Sequence, residues 1–445
     1  MTTVQGNVRL AFYGDDFTGS TDAMEVTAFA GLRTVLFTRV PDSALLGRFM
    51  DYDVIGVAGT SRAQDPEWMD AHLPGAFAAL AQLGPRIVQY KVCSTFDSAP
   101  NIGSIGRAID IGMREIGGRW SPSVVGAPQL GRWQAFGTLF ARAGSQTYRI
   151  DRHPTMSRHP VTPMHEADLK LHLAAQTDRP VRGVDGGLLH NFTVPVPDGL
   201  APVVFLDVFD AATQEQAGRL VWEEAMTEPL FSASSSGLQY ALAAHWRSCG
   251  QLPEQAAALP PAPPAERLLV LSGSCSPVTA EQIEIAEASG FATLRLDVVA
   301  ASGEHAESEI DRLSSGVAKA FAAKQGLIIF AARTVDDPAF ATLRKAATER
   351  GVEFTAAQDA LGRFMGRLAR RLVPEFGLRR LVVAGGDTSG RVVEALPIDA
   401  LEVLHPLASG APICRCHSTN SDFSRLELVL KGGQIGQPDI FTAAL

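Results

Sequence analysis

The stretch VRLAFYGDDFTGSTDAMEVTAFAG, residues 8–31, predicts a strand, an acidic turn and a helix. Residues 9–13 are apolar and aromatic enough for a short buried strand, which we expect to stop at Gly14. Two carboxylates, Asp15 and Asp16, follow at once, and hydroxyl residues that can cap a helix come next. In open α/β sheets ligands bind at the carboxyl ends of the strands, which is where this turn would lie.

The adjacent carboxylates Asp15 and Asp16 have two interpretations. An aspartate in a strand–helix loop is often only a cap or a turn former. Two in a row repel each other, so a fold usually keeps such a pair for a cation, a proton or a substrate hydroxyl. We therefore favour a functional role for the pair.

Length and composition limit the class of protein. At 445 residues the chain exceeds one ordinary core, and we expect two or three domains. A net charge of −9 without a dense Lys/Arg run argues against a nucleic-acid surface. No apolar run approaches the roughly 18–20 residues of a membrane span, and the N-terminus lacks the features of a signal peptide. Five scattered cysteines fit a reducing compartment, so we expect a cytoplasmic protein.

Strand-like runs, polar loops and helical faces alternate on both sides of a proline-rich segment. That segment, QLPEQAAALPPAPPAER at residues 251–267, is typical of an extended linker. The alternation favours mostly parallel sheets covered by helices, although residues 118–200 look less regular. We predict an α/β protein of two domains, 1–250 and 268–445, each a mostly parallel sheet flanked by helices, with a ligand cleft between them.

Three loops of the second half resemble one another in chemistry. They are SGSCS at 272–276, GGDTSG at 385–390 and KGGQIG at 431–436. Glycine lets backbone N–H groups crowd around an anion, and hydroxyls add donors, so the loops predict a phosphate-bearing ligand. The residues expected to bind it are Ser272, Ser274, Gly385, Gly386, Thr388, Ser389, Gly433 and Gly436. Asp387 is not a phosphate donor, and a metal, ribose or capping role suits it better.

Cationic and polar side chains follow strands of the first half. Lys91 precedes Ser94 and Asp97 at one strand end, and Arg62 lies in another polar loop. Lys91 could neutralise a carboxylate or a phosphoryl group, or it could be a solvated lysine. Arg158 and His159 belong to a second cluster, where a histidine is more often packed than catalytic and an arginine could bind an organic acid in a bidentate manner.

The chain contains no G-x-x-x-x-G-K-[ST] motif and no H-E-x-x-H motif, so a P-loop enzyme and that zinc site are excluded. A carboxylate pair in one domain and phosphate loops in the other fit a kinase of a small acidic molecule.

Several motifs together resemble the four-carbon acid sugar kinase family. They are GDDFTGSTDAM, YKVCSTFDSAPNIGSIGRAID, HPVTPM, SGSCS, GGDTSG and KGGQIG, in the family's order over nearly the whole chain. The resemblance implies phosphorylation of a tetronate or 3-oxo-tetronate by ATP. It implies that Asp15, Asp16, Lys91, Ser94 and Asp97 belong to the sugar-acid half and the glycine loops to the nucleotide half. Under it we predict that Asp16 is the general base, with Asp15 as the second candidate, and that Mg²⁺ is required.

The chain departs from the family pattern in places that bear on the substrate. KGGQIG stands where many members have KSGNFG, and residues 117–148 look unlike the usual members. A branched or longer oxo-acid sugar is therefore open as substrate, and a homo-oligomer is among the alternatives for assembly. The rival hypothesis is a catalytically inactive interaction protein on the same fold, because some relatives have been labelled secretion effectors. Retention of the carboxylate pair, the lysine and three phosphate loops favours the enzyme.

Overall fold

The computed structural model describes residues 8–159, 161–193, 199–256 and 258–445. It divides into two compact units, Met1–Ala258 and Leu259–Leu445, and the division falls within the proline-rich segment. Pro160 of the HPVTPM motif and Ala257 of that segment lie outside the described residues.

The first unit contains short strands and the helices that cover them. Its strands are β1 (Leu10–Gly14), β2 (Thr34–Phe37), β3 (Val54–Ala58), β4 (Ile87–Lys91), β5 (Ser121–Ser123), β6 (Arg132–Ala135), β7 (Thr138–Ala143), β8 (Gln146–Arg149), β9 (Val181–Val184), β10 (Val203–Leu206) and β11 (Leu230–Ser234). Its helices are α1 (Phe17–Phe29), α2 (Ser43–Leu46), α3 (Pro66–Ala81), α4 (Ile105–Glu115), α5 (Leu169–Ala174), α6 (Ala211–Ala225) and α7 (Gly237–Ser248).

The second unit repeats the alternation of strand and helix. Its strands are β12 (Leu268–Ser272), β13 (Ala292–Arg295), β14 (Gly326–Phe330), β15 (Arg380–Ala384), β16 (Ala400–Ala408), β17 (Ala411–His417) and β18 (Glu427–Lys431). Its helices are α8 (Pro277–Ala288), α9 (Val298–Ala301), α10 (Ala306–Phe321), α11 (Pro338–Glu349), α12 (Phe354–Glu375), α13 (Gly386–Ala395) and α14 (Ile440–Ala443).

The central sheet of the first unit has the strand order β11-β4-β1-β3-β2, and every neighbouring pair is parallel. All five residues of β1 are buried because the strand lies in the middle of this sheet. Gly56 of β3 leaves room for the Phe12 ring, since a Cβ at Gly56 would lie 2.2 Å from Phe12 Cζ. Parallel pairing brings the carboxyl ends of β1, β3 and β4 to one edge, so the loops that follow them are neighbours.

Two smaller sheets complete the first unit. The strands β5-β10-β9 form a parallel sheet, and β6-β7-β8 form an antiparallel one. Serine hydroxyls join β5 to β11: Ser123 Oγ donates to the Ala233 carbonyl over 2.7 Å, and Ser232 Oγ donates to the Pro122 carbonyl over 2.9 Å. These bonds attach the β5 sheet beside the edge strand of the central sheet.

The sheet of the second unit has the order β16-β17-β18-β15-β12-β14-β13. The pairs β16–β17 and β17–β18 are antiparallel, whereas β18, β15, β12, β14 and β13 run parallel. Val270, Ile328, Val382 and Val429 of the parallel strands share one buried cluster with Phe441 of α14. The loops after β12, β15 and β18 therefore leave the same edge.

The proline-rich segment has no helix or strand among its described residues. Its second half is nevertheless held by the second unit, because Arg380 Nη2 donates to the Pro263 carbonyl over 2.9 Å. His405 Nδ1 also lies 2.8 Å from the Pro260 carbonyl oxygen. This part of the predicted linker packs along the unit instead of extending freely.

The predicted fold class, two α/β domains with mostly parallel sheets flanked by helices, is confirmed. Strand β13 stops at Arg295, and the Asp297 carboxylate then caps helix α9. Residues 118–200 contain several short strands that the sequence pattern did not indicate. Among the described residues, no helix combines the length and hydropathy that crossing a membrane requires.

Candidate active site

The acidic turn after β1 is built around the guanidinium of Arg62. Arg62 lies in a short 3₁₀ turn after β3, and its backbone N–H donates to the Asp15 carbonyl over 3.0 Å. Its side chain donates from Nε and Nη2 to the two carboxylate oxygens of Asp15, over 3.1 and 2.8 Å. The third nitrogen, Nη1, donates to Asp16 Oδ2 over 2.8 Å. One arginine therefore holds both predicted carboxylates and offsets their mutual repulsion.

Asp16 is also the N-cap of α1. Its Oδ1 accepts the Gly19 N–H over 2.8 Å, and its Oδ2 accepts the Thr18 hydroxyl over 3.0 Å. The capping interpretation is thus correct, but from the described residues Oδ1 accepts this one bond alone and keeps a further lone pair. The Asp16 side chain is 26% exposed against 5% for Asp15. Asp16 is therefore the carboxylate of the pair that a substrate hydroxyl could reach.

Asp15 has an unusual acidity. Burial raises the pKa of Asp15 to about 6; the Arg62 guanidinium opposes this shift, and the Asp16 charge adds to it. Its backbone N–H donates to the Lys91 carbonyl over 2.9 Å, which fixes the turn against the end of β4. Asp15 is therefore placed to orient Arg62, and its side chain is less accessible to a substrate than that of Asp16.

Lys91, the last residue of β4, is buried beside the same turn. Its Nζ donates to the Val92 carbonyl over 3.0 Å and lies 3.9 Å from Asp22 Oδ2 on α1. A Cβ at Gly19 would lie 3.1 Å from Nζ, so the ammonium lies against the backbone that Asp16 caps. The alternative of a solvated lysine is wrong, because Lys91 is only 1% exposed.

The loop after β4 encloses Asp97 in a hydrogen-bond network. Thr95 Oγ1 donates to Asp97 Oδ1 over 2.5 Å, and Thr162 Oγ1 donates to Asp97 Oδ2 over 2.9 Å. Thr162 Oγ1 also lies 3.1 Å from His159 Nδ1, so the HPVTPM motif meets this loop. Burial raises the pKa of Asp97, but the Arg62 charge and the two threonine bonds outweigh it and lower the pKa overall. Asp97 is therefore held ionised.

The two remaining residues predicted to bind substrate in the first unit are less engaged. Ser94 is half-buried in the turn before Asp97, and Arg158 is exposed in the 3₁₀ turn Met156–Arg158. Among the described residues, neither side chain has a hydrogen bond or an ion pair. The structure therefore groups Asp15, Asp16 and Arg62 directly, connects His159 to Asp97, and leaves Arg158 outside this network.

The three glycine loops of the second unit meet at one edge. The strands β18, β15 and β12 are adjacent and parallel. The Gly385 N–H donates to the Lys431 carbonyl over 2.9 Å, and the Gly273 N–H donates to the Ala384 carbonyl over 3.0 Å. Loops that are more than forty residues apart in the sequence therefore form one surface.

Two of these glycines permit close approach between the loops. A Cβ at Gly273 would lie 2.1 Å from Thr388 Oγ1, and a Cβ at Gly433 would lie 2.7 Å from Ser274 Oγ. Gly385 has a φ of +120°, a conformation that favours glycine. The loops therefore pack backbone against hydroxyl, which is an arrangement that suits a phosphate group.

Helix α13 presents its N-terminus on this surface. Gly385 is the N-cap, no side chain caps it, and the first-turn residues Gly386 and Asp387 are exposed. The first N–H groups of a helix lack partners within the helix and attract anions. Asp387 makes no capping hydrogen bond among the described residues, so its metal and ribose roles stay as predictions.

Other predicted nucleotide residues support the loops from within. Ser389 Oγ donates to the Gly385 carbonyl over 2.7 Å, and a Cβ at Gly436 would lie 2.4 Å from Ile440 Cδ1. The Ser272 hydroxyl is fully buried and has no partner among the described residues. An orphaned hydroxyl at the end of β12 is a donor that a bound phosphate could satisfy.

Lys431 was not among the residues predicted from the sequence to bind the nucleotide. It ends β18 and is 0% exposed, and its Nζ donates to Thr279 Oγ1 over 3.1 Å. Thr279 Oγ1 in turn donates to the Gly433 carbonyl over 2.8 Å. No carboxylate of the described residues lies within ion-pair distance, and burial lowers the pKa of Lys431 to about 8. A buried ammonium beneath the loops that no described carboxylate neutralises fits a polyphosphate.

The donor set of the second unit therefore fits ATP. No group of three or more His, Cys, Asp or Glu within the described residues could hold a metal ion by itself. Mg²⁺ is commonly bound by one or two carboxylates and the substrate phosphates, so this observation suits a metal that arrives with the nucleotide.

Comparison with known families matches both units. A model described as a sugar-binding N-terminal domain matches residues 10–242, and one described as a nucleotide-binding C-terminal domain matches residues 269–441. The matched ranges end and begin on either side of the proline-rich segment.

Comparison with curated proteins finds relatives along the whole chain. The chain is 50% identical over 440 residues to a 3-oxo-isoapionate kinase of Paraburkholderia graminis, and the aligned residues cover 97% of this chain and 93% of the relative. It is 32% identical over 461 residues to a 3-oxo-tetronate kinase of Methylobacterium radiotolerans, with 99% of each chain covered. A crystal structure from Salmonella typhimurium LT2, provisionally described as a tRNA synthase, has a TM-score of 0.77 at 26% identity over 98% of both chains.

Proposed function

The chain belongs to the four-carbon acid sugar kinase family and is a sugar-acid kinase that uses ATP, and from this premise we propose that its substrate is 3-oxo-isoapionate. The observation that carries the proposal is the 50% identity to a 3-oxo-isoapionate kinase over 97% of the chain. The second candidate is 3-oxo-tetronate, the substrate in the names of relatives at about 30% identity. The rival interpretation as an inactive interaction protein is not favoured, because the named relatives are kinases.

In the proposed reaction the first unit binds the sugar acid. Asp16 accepts the proton of the attacking hydroxyl; its free lone pair on Oδ1 and its exposure support this role. Asp15 holds Arg62 in place, and Arg62 orients the Asp16 carboxylate through the bond from Nη1. Lys91 stabilises the turn that carries Asp16.

Substrate contacts beyond this turn are proposed for the network around Asp97. Asp97 is ionised and held by Thr95 and Thr162, so it can accept a hydrogen bond from a sugar hydroxyl. The Ser94 hydroxyl in the same loop has no hydrogen bond to any described residue, and His159 lies next to Thr162. Arg158 is retained only as a peripheral contact, because it is exposed.

The second unit binds the nucleotide in the proposed reaction. The loops at 272–276, 385–390 and 431–436 hold the phosphates, supported by the α13 N-terminus and by the buried Lys431. ATP supplies the transferred phosphoryl group. Mg²⁺ would neutralise the phosphate oxygens, and Asp387 is the exposed carboxylate of this surface that could contact it.

A coupled assay of ADP release tests the substrate. We expect the purified chain to convert 3-oxo-isoapionate with a kcat/KM at least about tenfold above that for 3-oxo-tetronate, a difference of about 1.4 kcal/mol in transition-state stabilisation. Equal efficiencies, or a preference for 3-oxo-tetronate, would show that the substrate assignment is wrong. An uncharged sugar alcohol of the same length serves as the negative control.

A further inference from the structure

A sugar acid carries a carboxylate, and neither arginine predicted for the first unit's substrate site suits it. All three nitrogens of Arg62 already bind Asp15 and Asp16, so its single charge faces two negative ones. Arg158 is exposed, where water weakens an ion pair. A carboxylate that entered this site would therefore need a different cation.

Arg132 lies near the edge where the substrate loops emerge. It exchanges both backbone hydrogen bonds with Ala127, over 3.0 and 3.1 Å. The segment before Ala127 is tied to β11, because the Val124 N–H donates to Ser234 Oγ over 2.8 Å. The Ser234 carbonyl accepts the Val92 N–H over 2.9 Å at the carboxyl end of β4. A chain of backbone contacts thus connects Arg132 to the end of the strand that carries Lys91.

The Arg132 guanidinium has spare donors and no carboxylate counter-ion in the part of the chain that the structure describes. Its Nη1 donates to the carbonyls of Leu130 and Gly131 over 3.2 and 3.0 Å. Its Nε is shielded from water, and neither Nε nor Nη2 has a partner among the described residues. No carboxylate of those residues lies within ion-pair distance of it. Arg132 is half-buried, so its charge is partly removed from water, and a ligand anion would offset the cost of that desolvation.

The titratable group whose charge would act on Arg132, the Cys93 thiol, does not supply a negative charge to balance the guanidinium. Cys93 lies within electrostatic range of the guanidinium, and burial raises the pKa of its thiol, so the sulfur is neutral. Burial also lowers the pKa of Arg132. His153 is the other titratable side chain that responds to Arg132, and burial lowers its pKa as well. The surroundings of Arg132 are therefore deficient in negative charge.

We propose that Arg132 binds the carboxylate of the sugar-acid substrate through Nη2, the donor that has no partner among the described residues and is not shielded as Nε is. The inference rests on the proposed sugar-acid kinase activity and adds the residue that selects an acid over a neutral sugar. Nη1 donates to the Leu130 and Gly131 carbonyls, so the guanidinium is oriented before the substrate binds.

The test compares an acid with its neutral analogue. Wild type and Arg132→Gln are assayed with 3-oxo-isoapionate and with its primary carboxamide, and the melting temperature is measured with each compound. We expect the substitution to raise KM for the acid about 10- to 100-fold, to leave KM for ATP unchanged and to abolish the preference for acid over amide. Arg132→Lys, which keeps the charge, should retain part of that preference.

Arg142→Gln is the matched control, because Arg142 is an exposed arginine on the same antiparallel sheet. A preference for the acid that survives in Arg132→Gln overturns the inference. So does an equal loss in Arg142→Gln, which would indicate a structural effect on the sheet. Wild type that phosphorylates neither compound refutes the proposed activity instead, and the acid-specific shift in melting temperature then still tests the role of Arg132.

Discussion

Arg62 binds Asp15 through two parallel hydrogen bonds, from Nε to Oδ2 over 3.1 Å and from Nη2 to Oδ1 over 2.8 Å. With Nε and Nη2 bound to Asp15, the third nitrogen, Nη1, donates to Asp16. The position of the Asp15 carboxylate therefore fixes where the Arg62 charge lies relative to Asp16. The turn after β1 is therefore pre-organised: Asp15 holds Arg62 in position, and Arg62 binds both carboxylates. Asp16 is the carboxylate that the substrate can reach.

Asp16→Asn should lower kcat by about 10²–10⁴ and leave the fold intact. Asparagine caps a helix as well as aspartate does, so α1 keeps its N-terminus while the base is removed. Steady-state kinetics and melting curves check this, with the ADP dissociation constant as the control for the second unit. Near wild-type turnover would move the base to Asp97, the next ionised carboxylate of the site.

The raised pKa of Asp15 predicts a pH-dependent stability. Its pKa is about 6 in the folded chain against 3.8 ordinarily, so between pH 4 and 6 the folded state binds more protons than the unfolded state. The free energy of unfolding should therefore fall as pH rises through this window, by about 3 kcal/mol relative to Asp15→Asn. All five tryptophans lie in the first unit, so urea unfolding followed by tryptophan fluorescence reports on it. A wild-type and variant difference that is independent of pH would contradict the assignment.

Lys431→Met should weaken ADP binding about 10- to 100-fold, the usual effect of losing one charge-assisted hydrogen bond. The wild-type affinity should also fall as pH rises through about 8, because a neutral lysine no longer attracts phosphate. Calorimetry between pH 7 and 9 measures both effects. Lys345→Met, at an exposed lysine of α11, is the control and should behave as wild type. Unchanged ADP affinity in Lys431→Met would exclude the phosphate role.

Gly273→Ala should abolish nucleotide binding and leave sugar-acid binding in place. The added methyl group would lie 2.1 Å from Thr388 Oγ1, so either the Thr388 side chain on α13 or the loop after β12 must move, and both belong to the nucleotide surface. Thermal shift with ADP and with the sugar acid separates the two effects. Gly75→Ala is the control, since a Cβ there meets nothing within 4 Å and a helical glycine replaced by alanine gains up to about 1 kcal/mol.

Chelation of divalent cations should stop turnover without preventing sugar-acid binding. Phosphoryl transfer needs its oxygens neutralised, and the chain has no Walker lysine motif to help. The measurement is ADP release with and without excess EDTA, followed by restoration with MgCl₂. Full activity in the chelator would refute the magnesium requirement.

The sequence alone predicted the local parts of the site better than the long-range ones. Asp15 and Asp16 were visible because a buried strand ends directly before them, and the glycine loops because each follows a strand. Lys431 was visible only as part of KGGQIG, because a lysine at a strand end normally reaches water. Its burial follows from the position of β18 between β17 and β15, which depends on an antiparallel pair that the local pattern did not indicate.

Arg132 shows the same limit more strongly. Its segment looked irregular because β6, β7 and β8 are short and half-exposed, and such strands lack a clear alternation. Tertiary contacts of Ala127 and Val124 connect this segment to the end of β4, and no local pattern indicates them. The engagement of Arg62 by two aspartates was hidden for the same reason, because 46 residues separate Asp16 from Arg62.

The two charged groups of the first unit also give the substrate a direction. Asp16 is the partly exposed carboxylate of the cluster with Asp15 and Arg62, whereas the positive charge of Arg132 has no carboxylate within ion-pair distance among the described residues. A small acid entering between such poles would align with its carboxylate head at Arg132 and its tail at Asp16. The regiochemistry of phosphorylation would then follow from electrostatics, with the hydroxyl remote from the carboxylate as the acceptor.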